Sequence, residues 1–365
     1  MSDTNFAGGN LFPVSIDLLF DGMDVQEDVY DADASRLIIR RGTILHEGDL
    51  ARVKNLNAGR RTIYVSQNIY KALLEKTPRI ESTSISEIEE ATGYASIKDE
   101  TFDLLSEISK NKAVEQEALL SVSAELSNRL EVTSPSIILS LINALAPVDE
   151  YLQRHCVNVS LLNGLFGKWL GLQKADVDRL VLVGLMHDCG KALVPPQVLN
   201  APRKLTVTEF EVIKMHPLFS YDLLAEFPEP VRRSARGHHE KFDGTGYPDR
   251  LWRDSTPWEA CITAISDVYD AMVSQRAYKK PRSPFSIMAM LAGLGDKELD
   301  AGLVGIFIKS MPQELMDKPV VMSDGGVGIV RSFDPEDIEY PMIEVEGRVI
   351  KSSDKIYCTS MYYEE

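Results

Sequence analysis

The dipeptide His187-Asp188 places an imidazole next to a carboxylate, directly after an apolar run that ends at Met186. Both groups are costly to bury unless a partner compensates them, and a metal ion is the usual partner for such a pair. Taken alone, the dipeptide fits a capped, hydrogen-bonded pair in the protein core better than it fits a metal site. The choice between the two interpretations therefore depends on the other histidines and aspartates of the chain.

Five of the six histidines fall in the middle of the chain, two of them adjacent. They are His155, His187, His216, His238 and His239. Asp267 follows the apolar run 261–265, so its carboxylate is also expected in a buried setting. Four separate segments that each present histidine or aspartate from an apolar context predict a buried site for more than one metal ion.

The order of these residues is similar to that in a known enzyme superfamily. His155, His187-Asp188 and Asp267 resemble the H…HD…D ligands of the HD phosphohydrolases. The additional histidines, together with Gly246-Tyr247-Pro248, resemble the HD-GYP subfamily, whose members are metal-dependent phosphodiesterases that hydrolyse cyclic di-GMP. The resemblance extends from about residue 145 to about residue 310.

The resemblance implies two divalent metal ions that share one bridging carboxylate, which would be Asp188. One metal would be held by His155, His187 and Asp267, and the other by His216, His238 and His239. Mixed imidazole and carboxylate ligands favour Fe or Mn, with Zn or Co as alternatives. Relatives with a third metal carry a Glu one helical turn before the first histidine, where this chain has Tyr151. Two metals are therefore expected, and the product is left open between pGpG and GMP.

The same resemblance assigns roles around the metals. Lys191 would stabilise charge on the scissile phosphate or protonate the leaving oxygen. Asp270 would orient a ligand or accept a proton. The predicted catalytic residues are Asp188, Lys191 and Asp270. The predicted substrate-binding residues are Lys191, Arg276 and Lys279 for phosphate, and Tyr247 for guanine stacking, with packing inside its own turn as the alternative for Tyr247.

Composition restricts the partners. The formal net charge of −16 argues against binding to a nucleic-acid polymer, which needs a basic surface. A phosphodiester substrate would meet the same repulsion, so its site must supply local positive charge through metals and placed cations.

No apolar run approaches the roughly 18 residues that cross a bilayer, and the N-terminus has no signal-peptide pattern. The four cysteines lack a CxxC spacing and predict reduced, core-filling thiols, so a cytoplasmic location is expected.

Apolar periodicity predicts a mostly α protein, an HD-type helical bundle with a small N-terminal α+β module and a C-terminal β appendage. In the N-terminal module, strands are expected at 35–40 and 61–65, and a helix at 47–56. In the appendage, strands are expected at 319–322, 326–330, 342–345 and 355–357, with a turn at Asp324-Gly325. Thr206 and Glu209 have the spacing of a capping box, which is expected to start the helix that carries His216.

The expected divisions are an N-terminal module at 1–78, a helical connector at 79–134, a catalytic domain at 135–315 and the appendage at 316–365. Homodimerisation through the N-terminal module or the connector helices is one partner expectation. A diguanylate cyclase that contacts the Gly246-Tyr247-Pro248 loop is another.

The leading functional expectation is a cyclic di-GMP phosphodiesterase. Two alternatives remain open from the sequence. One is a receptor that binds the nucleotide without hydrolysing it, and the other is a different di-metal HD enzyme, either a phosphohydrolase or an oxygenase.

Overall fold

The computed structural model describes residues 11–15, 24–25, 29–30, 37–46, 48–49, 62–66, 85–143, 151–201, 203–273, 282–295, 297–345 and 347–362. Helices occupy most of the chain between residues 85 and 315, and short strands lie before and after them. The predicted fold class, mostly helical with β structure at both ends, is confirmed.

The N-terminal module contains short antiparallel strands. They are β1 (Leu11–Ser15), β2 (Asp24–Val25), β3 (Val29–Tyr30), β4 (Leu37–Ile39), β5 (Thr43–Ile44) and β6 (Thr62–Ser66). One sheet has the order β1-β6-β3-β4, and β2 pairs separately with β5. The strands that the sequence predicts at 35–40 and 61–65 correspond to β4 and β6. The helix predicted from Glu47 to Leu56 falls almost entirely outside the described residues.

Thirteen α-helices follow in the described part of the chain. They are α1 (Ile85–Thr92), α2 (Tyr94–Asn111), α3 (Gln116–Val132), α4 (Pro135–Asn143), α5 (Tyr151–Trp169), α6 (Lys174–Met186), α7 (Pro196–Leu199), α8 (Val207–Ile213), α9 (His216–Leu223), α10 (Glu229–Gly237), α11 (Trp258–Val273), α12 (Pro284–Leu294) and α13 (Ala301–Ser310). Single 3-10 turns cover Cys189–Leu193, Arg253–Ser255, Met311–Leu315 and Pro335–Asp337.

Helices α5 and α6 form the centre of the bundle. Gly184 of α6 lies so close to α5 that a Cβ at this position would stand 2.6 Å from the Cα of Ser160. The Ser160 hydroxyl also donates a hydrogen bond of 2.7 Å to the carbonyl of Val181. This close crossing brings the helix that carries His155 against the helix that ends at His187.

Helices α2 and α3, which the sequence assigns to a connector, pack onto the same hydrophobic core. Tyr94, Leu119 and Leu130 are almost fully buried there beside residues of α5 and α6. Burial of large apolar side chains contributes about 1.5–3 kcal/mol each to folding, so these helices stabilise the bundle directly. The predicted division at residue 134 stays a prediction.

The C-terminal sheet is antiparallel, with strands β7 (Pro319–Met322), β8 (Val327–Ser332), β9 (Met342–Val345), β10 (Arg348–Lys351) and β11 (Cys358–Met361). Its order is β10-β9-β8-β7-β11. The predicted turn at Asp324-Gly325 joins β7 to β8, with Gly325 in the left-handed region at φ +84°. The strand predicted at 355–357 is wrong in position, because β11 begins at Cys358 and pairs with β7.

Among the described residues, no helix combines the length and apolar character needed to cross a membrane.

Candidate metal centre

The seven predicted ligands come from five helices or helix ends that meet at one point. His155 lies in α5, His187 caps the end of α6, Asp188 follows it, His216 opens α9, His238 caps the end of α10 with His239 next to it, and Asp267 lies in α11. One sequence expectation is wrong in detail. The helix that starts at the Thr206–Glu209 capping box ends at Ile213, and His216 begins a second helix.

Three of the histidines bond to the chain in the same way. Each places Nδ1 against the carbonyl of the third residue before it, in the last turn of the preceding helix. The pairs are His187 with Gly184 at 2.7 Å, His216 with Ile213 at 2.8 Å and His238 with Ala235 at 2.7 Å. A carbonyl only accepts hydrogen bonds, so Nδ1 carries the proton in each ring. The Nε2 atoms are therefore bare, and their lone pairs are available to a cation.

Asp188 lies between two pairs of histidines. Its Oδ1 is 3.1 Å from Nε2 of His216 and 3.7 Å from Nε2 of His238. Its Oδ2 is 3.4 Å from Nε2 of both His155 and His187. Each carboxylate oxygen thus faces its own pair of imidazoles, which is the arrangement required of a carboxylate that bridges two metals.

Asp267 and His239 complete the ring of donors. The Oδ1 atom of Asp267 is 3.2 Å from Nε2 of His155, and its Oδ2 atom is 3.9 Å from Nδ1 of His239. His239 is the most exposed of the five histidines, with a quarter of its side chain accessible. This opening marks the side from which a ligand can approach.

The donors fit cations better than they fit one another. Nε2 of His187 and Oδ1 of Asp188 are buried without a hydrogen-bond partner among the described residues. The bare Nε2 atoms of His216 and His238 face each other at 3.3 Å. Acceptors that face acceptors repel unless a positive charge lies between them.

Two groups of donors, each with all ligand atoms within 4.8 Å of one another, could hold such ions. They are His155, His187 and Asp188, and Asp188, His216, His238 and His239. Asp188 belongs to both groups, and imidazole with carboxylate suits first-row transition metals.

The charge states also suit metal binding. Burial works to raise the pKa of Asp188, but the opposing effects, of which the charge of Lys191 is the largest, hold that pKa well below its usual value. Burial also works to raise the pKa of Asp267, but the contact with His155 and the other lowering effects outweigh it, so that pKa is lowered as well. Burial lowers the pKa of His238 far below 6.5 and that of His239 to about 3. At neutral pH the carboxylates are ionised and these imidazoles are neutral, which are the forms that bind metals.

The neighbouring cysteines are not part of the donor set. Burial raises the pKa of Cys156 and of Cys189 to about 12, so both remain neutral thiols. This supports the sequence interpretation of these cysteines as core-filling residues.

Asp270 is fully buried and contacts a ligand rather than the open side of the site. Its Oδ2 accepts a hydrogen bond of 2.7 Å from Nδ1 of His155, and its Oδ1 accepts one of 2.7 Å from the amide of Asn158. Of the two roles considered from the sequence, these contacts favour orientation of the ligand. Sequence reasoning missed Asn158, although its position three residues after His155 places both on one face of α5.

Lys191 forms an ion pair with Oδ2 of Asp188 and is partly exposed. It therefore supplies positive charge at the edge of the donor set. The predicted phosphate-binding residues Arg276 and Lys279 lie outside the described residues. Tyr151 begins α5, and the position of its side chain also lies outside the description.

The loop after His239 is held rigidly beside the site. Glu240 is buried, and its carboxylate accepts hydrogen bonds from the backbone amides of residues 249, 250 and 251 at 2.6, 3.1 and 2.9 Å. The ring of Tyr247 stacks on His239, with centroids 4.7 Å apart and planes inclined by 30°. Tyr247 thus borders the accessible side of the donor set. Sequence reasoning had no signal for the role of Glu240 in holding this loop.

The HD domain family pattern matches residues 105–303, more than half of the chain, so this protein belongs to the HD domain family. The resemblance to the HD-GYP group that the sequence predicts is confirmed by its relatives. The chain is 32% identical over 212 residues to the cyclic di-GMP phosphodiesterase response regulator RpfG of Xanthomonas campestris. The aligned region covers 57% of this chain and 55% of the relative. It is 31% identical over 185 residues to a cyclic di-GMP phosphodiesterase of Thermotoga maritima, covering 49% of this chain and 50% of the relative.

The chain thus spans about half the length of these two relatives. A solved structure with the same fold is Bd1817, an HDG"Y"P protein from Bdellovibrio bacteriovorus. It covers 83% of this chain and 100% of its own, with a TM-score of 0.51 and 16% sequence identity.

Proposed function

We propose that this protein is a metal-dependent phosphodiesterase that hydrolyses a cyclic dinucleotide, with cyclic di-GMP as the first candidate, to pGpG, GMP or both. The observation that carries the proposal is the position of Asp188, whose two oxygens each face a separate pair of histidines. The names of the relatives in Xanthomonas and Thermotoga support the substrate class.

The proposed ligands of one ion are His155, His187, Asp188 and Asp267, and those of the other are Asp188, His216, His238 and His239. When bound, such a metal pair supplies a water that ionises near neutral pH and positive charge that balances a transferred phosphoryl group. Fe or Mn fits the mixed nitrogen and oxygen donors best. With Tyr151 in place of the family Glu, we infer two metals per chain.

The protein residues would hold and neutralise the substrate. Lys191 lies next to the bridging carboxylate, where its ammonium group can donate to a phosphate oxygen that approaches the donor set. Asp270 keeps the Nδ1 proton of His155 in place, so Nε2 stays directed at the donor set. Arg276 and Lys279 remain proposed phosphate contacts. These cations answer the repulsion that a net charge of −16 would exert on an anionic substrate.

The test uses the full chain, purified without oxygen, with its metal content measured before assay. Cyclic di-GMP, 3'3'-cGAMP and linear pGpG are the substrates, because one relative in Vibrio cholerae is a 3'3'-cGAMP-specific phosphodiesterase. We expect two metals per chain and turnover of a cyclic dinucleotide. Asp188→Ala should lose turnover by about 1,000-fold or more, together with metal. Asp178→Ala, which removes a surface carboxylate paired with Lys174, is the matched control and should keep both.

Three results would contradict the proposal. Tight nucleotide binding by metal-loaded protein without hydrolysis would favour the receptor alternative. Turnover confined to non-cyclic nucleotides, or oxygen consumption with another substrate, would favour a different di-metal HD enzyme.

A further inference from the structure

A chain of buried hydrogen bonds runs from helix α2 to the proposed metal ligand His155. The hydroxyl of Tyr94 donates to the amide oxygen of Asn158 at 2.7 Å. The amide nitrogen of Asn158 donates to Oδ1 of Asp270 at 2.7 Å. Oδ2 of Asp270 accepts from Nδ1 of His155, again at 2.7 Å. Tyr94 and His155, the first and last residues of this series of hydrogen bonds, are 61 residues apart in sequence and belong to different helices.

All four side chains are shielded from solvent, and none is more than 2% exposed. Water therefore cannot readily replace a lost partner, and a buried polar group without a partner is unfavourable. Asn158 has only one amide orientation that serves both neighbours, because its nitrogen must face the carboxylate and its oxygen the phenol. Each bond in the chain thus fixes the next one.

Tyr94 is itself held in place by the corner between α1 and α2. Gly93 forms this corner in the left-handed region at φ +68°. The guanidinium of Arg154, the residue before His155, lies 5.1 Å from the centre of the Tyr94 ring. It also binds Glu89 of α1 at 2.7 Å. The phenol therefore has little freedom to move away from Asn158.

We propose that Tyr94 and Asn158 are positioning residues for the metal held by His155. By fixing both oxygens of Asp270, they keep the His155 ring oriented and its Nε2 atom basic. Through Tyr94, helix α2 takes part in building the metal site, although it lies outside the segment that supplies the ligands. This inference rests on the proposed function, because it assumes that the donor set binds metal.

The test measures Mn²⁺ binding to metal-free full-length protein by titration calorimetry, which needs no turnover. Tyr94→Phe removes only the hydroxyl and keeps the ring beside Arg154. We expect two Mn²⁺ sites in the wild type. In Tyr94→Phe one of them should weaken by about fivefold and the other should be unchanged, and Asn158→Ala should weaken the same site by about tenfold.

Tyr269→Phe is the matched control. Tyr269 also donates a buried hydrogen bond to an asparagine, Asn143, at 2.8 Å. Tyr269→Phe therefore removes a comparable buried hydrogen bond that is not one of the bonds between Tyr94 and His155, so Mn²⁺ affinity should stay at the wild-type value. In the Asn158→Ala background, Tyr94→Phe should add no further loss, since its effect is transmitted through Asn158.

The outcomes separate this inference from the proposed function. Wild-type protein with no Mn²⁺ site would end both. Two wild-type sites that Tyr94→Phe leaves unchanged would overturn the positioning role alone. Equal weakening by Tyr94→Phe and Tyr269→Phe would also overturn it, because the effect would then reflect general loss of packing.

Discussion

In four histidines of the site, the two ring nitrogens have different roles. In His187, His216 and His238 one nitrogen closes the hydrogen bonding of a helix end, which leaves the other nitrogen to the metal. In His155 the corresponding nitrogen bonds to a carboxylate instead. A carboxylate partner makes an imidazole more electron-rich than a carbonyl partner does. His155 should therefore be a stronger electron donor to its proposed metal than His216 or His238 is to the other proposed metal.

Replacement of Lys191 tests what its positive charge contributes to turnover. Lys191→Met keeps much of the side-chain volume but removes the charge beside Asp188. Turnover of a cyclic dinucleotide should fall by about 100-fold or more, because a positive charge near the transferred phosphoryl group is lost. Metal affinity should not fall, because the variant removes a cation that competes for the same carboxylate. Steady-state kinetics and metal analysis on the same sample check both parts.

Lys174→Met is the control for this change, since Lys174 forms an exposed ion pair with Asp178 away from the donor set. It should behave like the wild type. If Lys191→Met lost metal in parallel with turnover, Lys191 would have a structural role in the site and not a role toward substrate.

The sequence predicted the donors, and Asp270 as a residue that orients one of them, but it did not predict Asn158 and Tyr94, which hold Asp270 in place. Histidine and aspartate at the ends of apolar runs are visible in one dimension, and all seven predicted ligands do meet in space. The bond from Tyr94 to Asn158 spans 64 residues and the bond from Asn158 to Asp270 spans 112. Nothing local to Tyr94 distinguishes it from an ordinary core tyrosine, so this contact could come only from the structure.

At the scale of elements, the site is assembled from helix ends. Helix termini carry unsatisfied backbone groups, so a residue placed there is fixed by the backbone itself. The break between α8 and α9 is the instructive case. The capping box at Thr206 correctly predicted where α8 begins. The helix ends at Ile213 and does not continue through His216, and this end leaves the Ile213 carbonyl free to accept the hydrogen bond from the His216 ring. The sequence does contain one signal for this break, because Pro217 lies in the first turn of α9, where proline is tolerated, and it would disrupt the interior of a continuous helix.

The loop after His239 gives an element-scale prediction. A Cβ at Gly246 would lie 2.4 Å from the amide nitrogen of Lys241 and 2.6 Å from the carbonyl oxygen of His239. Both neighbours are backbone, so neither can move without displacing the loop. Gly246→Ala should shift Tyr247 off His239 and raise the KM for a cyclic dinucleotide by about tenfold, with a smaller change in kcat. Steady-state kinetics over a range of substrate concentrations checks this.

Gly293→Ala in α12 is the paired control, because a Cβ there meets nothing within 4 Å. In a helix this exchange should leave kinetics unchanged and raise stability slightly. An unchanged KM in Gly246→Ala would show that the loop does not contribute to substrate binding.

For the whole molecule, the periodicity of apolar residues predicted the fold class, but it did not predict how the helices pack against one another. Apolar spacing predicted the helices of the bundle and most C-terminal strands. It could not show that α2 and α3 bury Tyr94, Leu119 and Leu130 in the same core as α5, because an amphipathic helix has the same pattern whichever surface it covers. The acidic composition of those helices describes only their exposed faces.

The stability of the metal-free protein should fall as the pH falls below 6.5. Burial lowers the folded-state pKa of His238 far below 6.5 and that of His239 to about 3. Below pH 6.5 the unfolded chain therefore binds protons at these positions that the folded chain does not, and for His239 this difference persists down to about pH 3. Each histidine then removes up to about 1.4 kcal/mol of stability per pH unit. Asp188 and Asp267, whose pKa values are lowered, add to this loss only below pH 3.8.

Differential scanning calorimetry of metal-free protein from pH 7.5 to pH 5.5 checks this prediction. The melting temperature should drop by several degrees toward pH 5.5. In His239→Gln the decline should be about half as steep, because only one of the two imidazoles with a lowered pKa remains, while His46→Gln on the exposed surface should follow the wild type. Added Mn²⁺ should raise the melting temperature most at pH 7.5, since protons compete with metal for the same Nε2 atoms. A melting temperature that stays constant across this range would mean that His238 and His239 can be protonated within the folded protein, and that the donors are less tightly enclosed than their burial indicates.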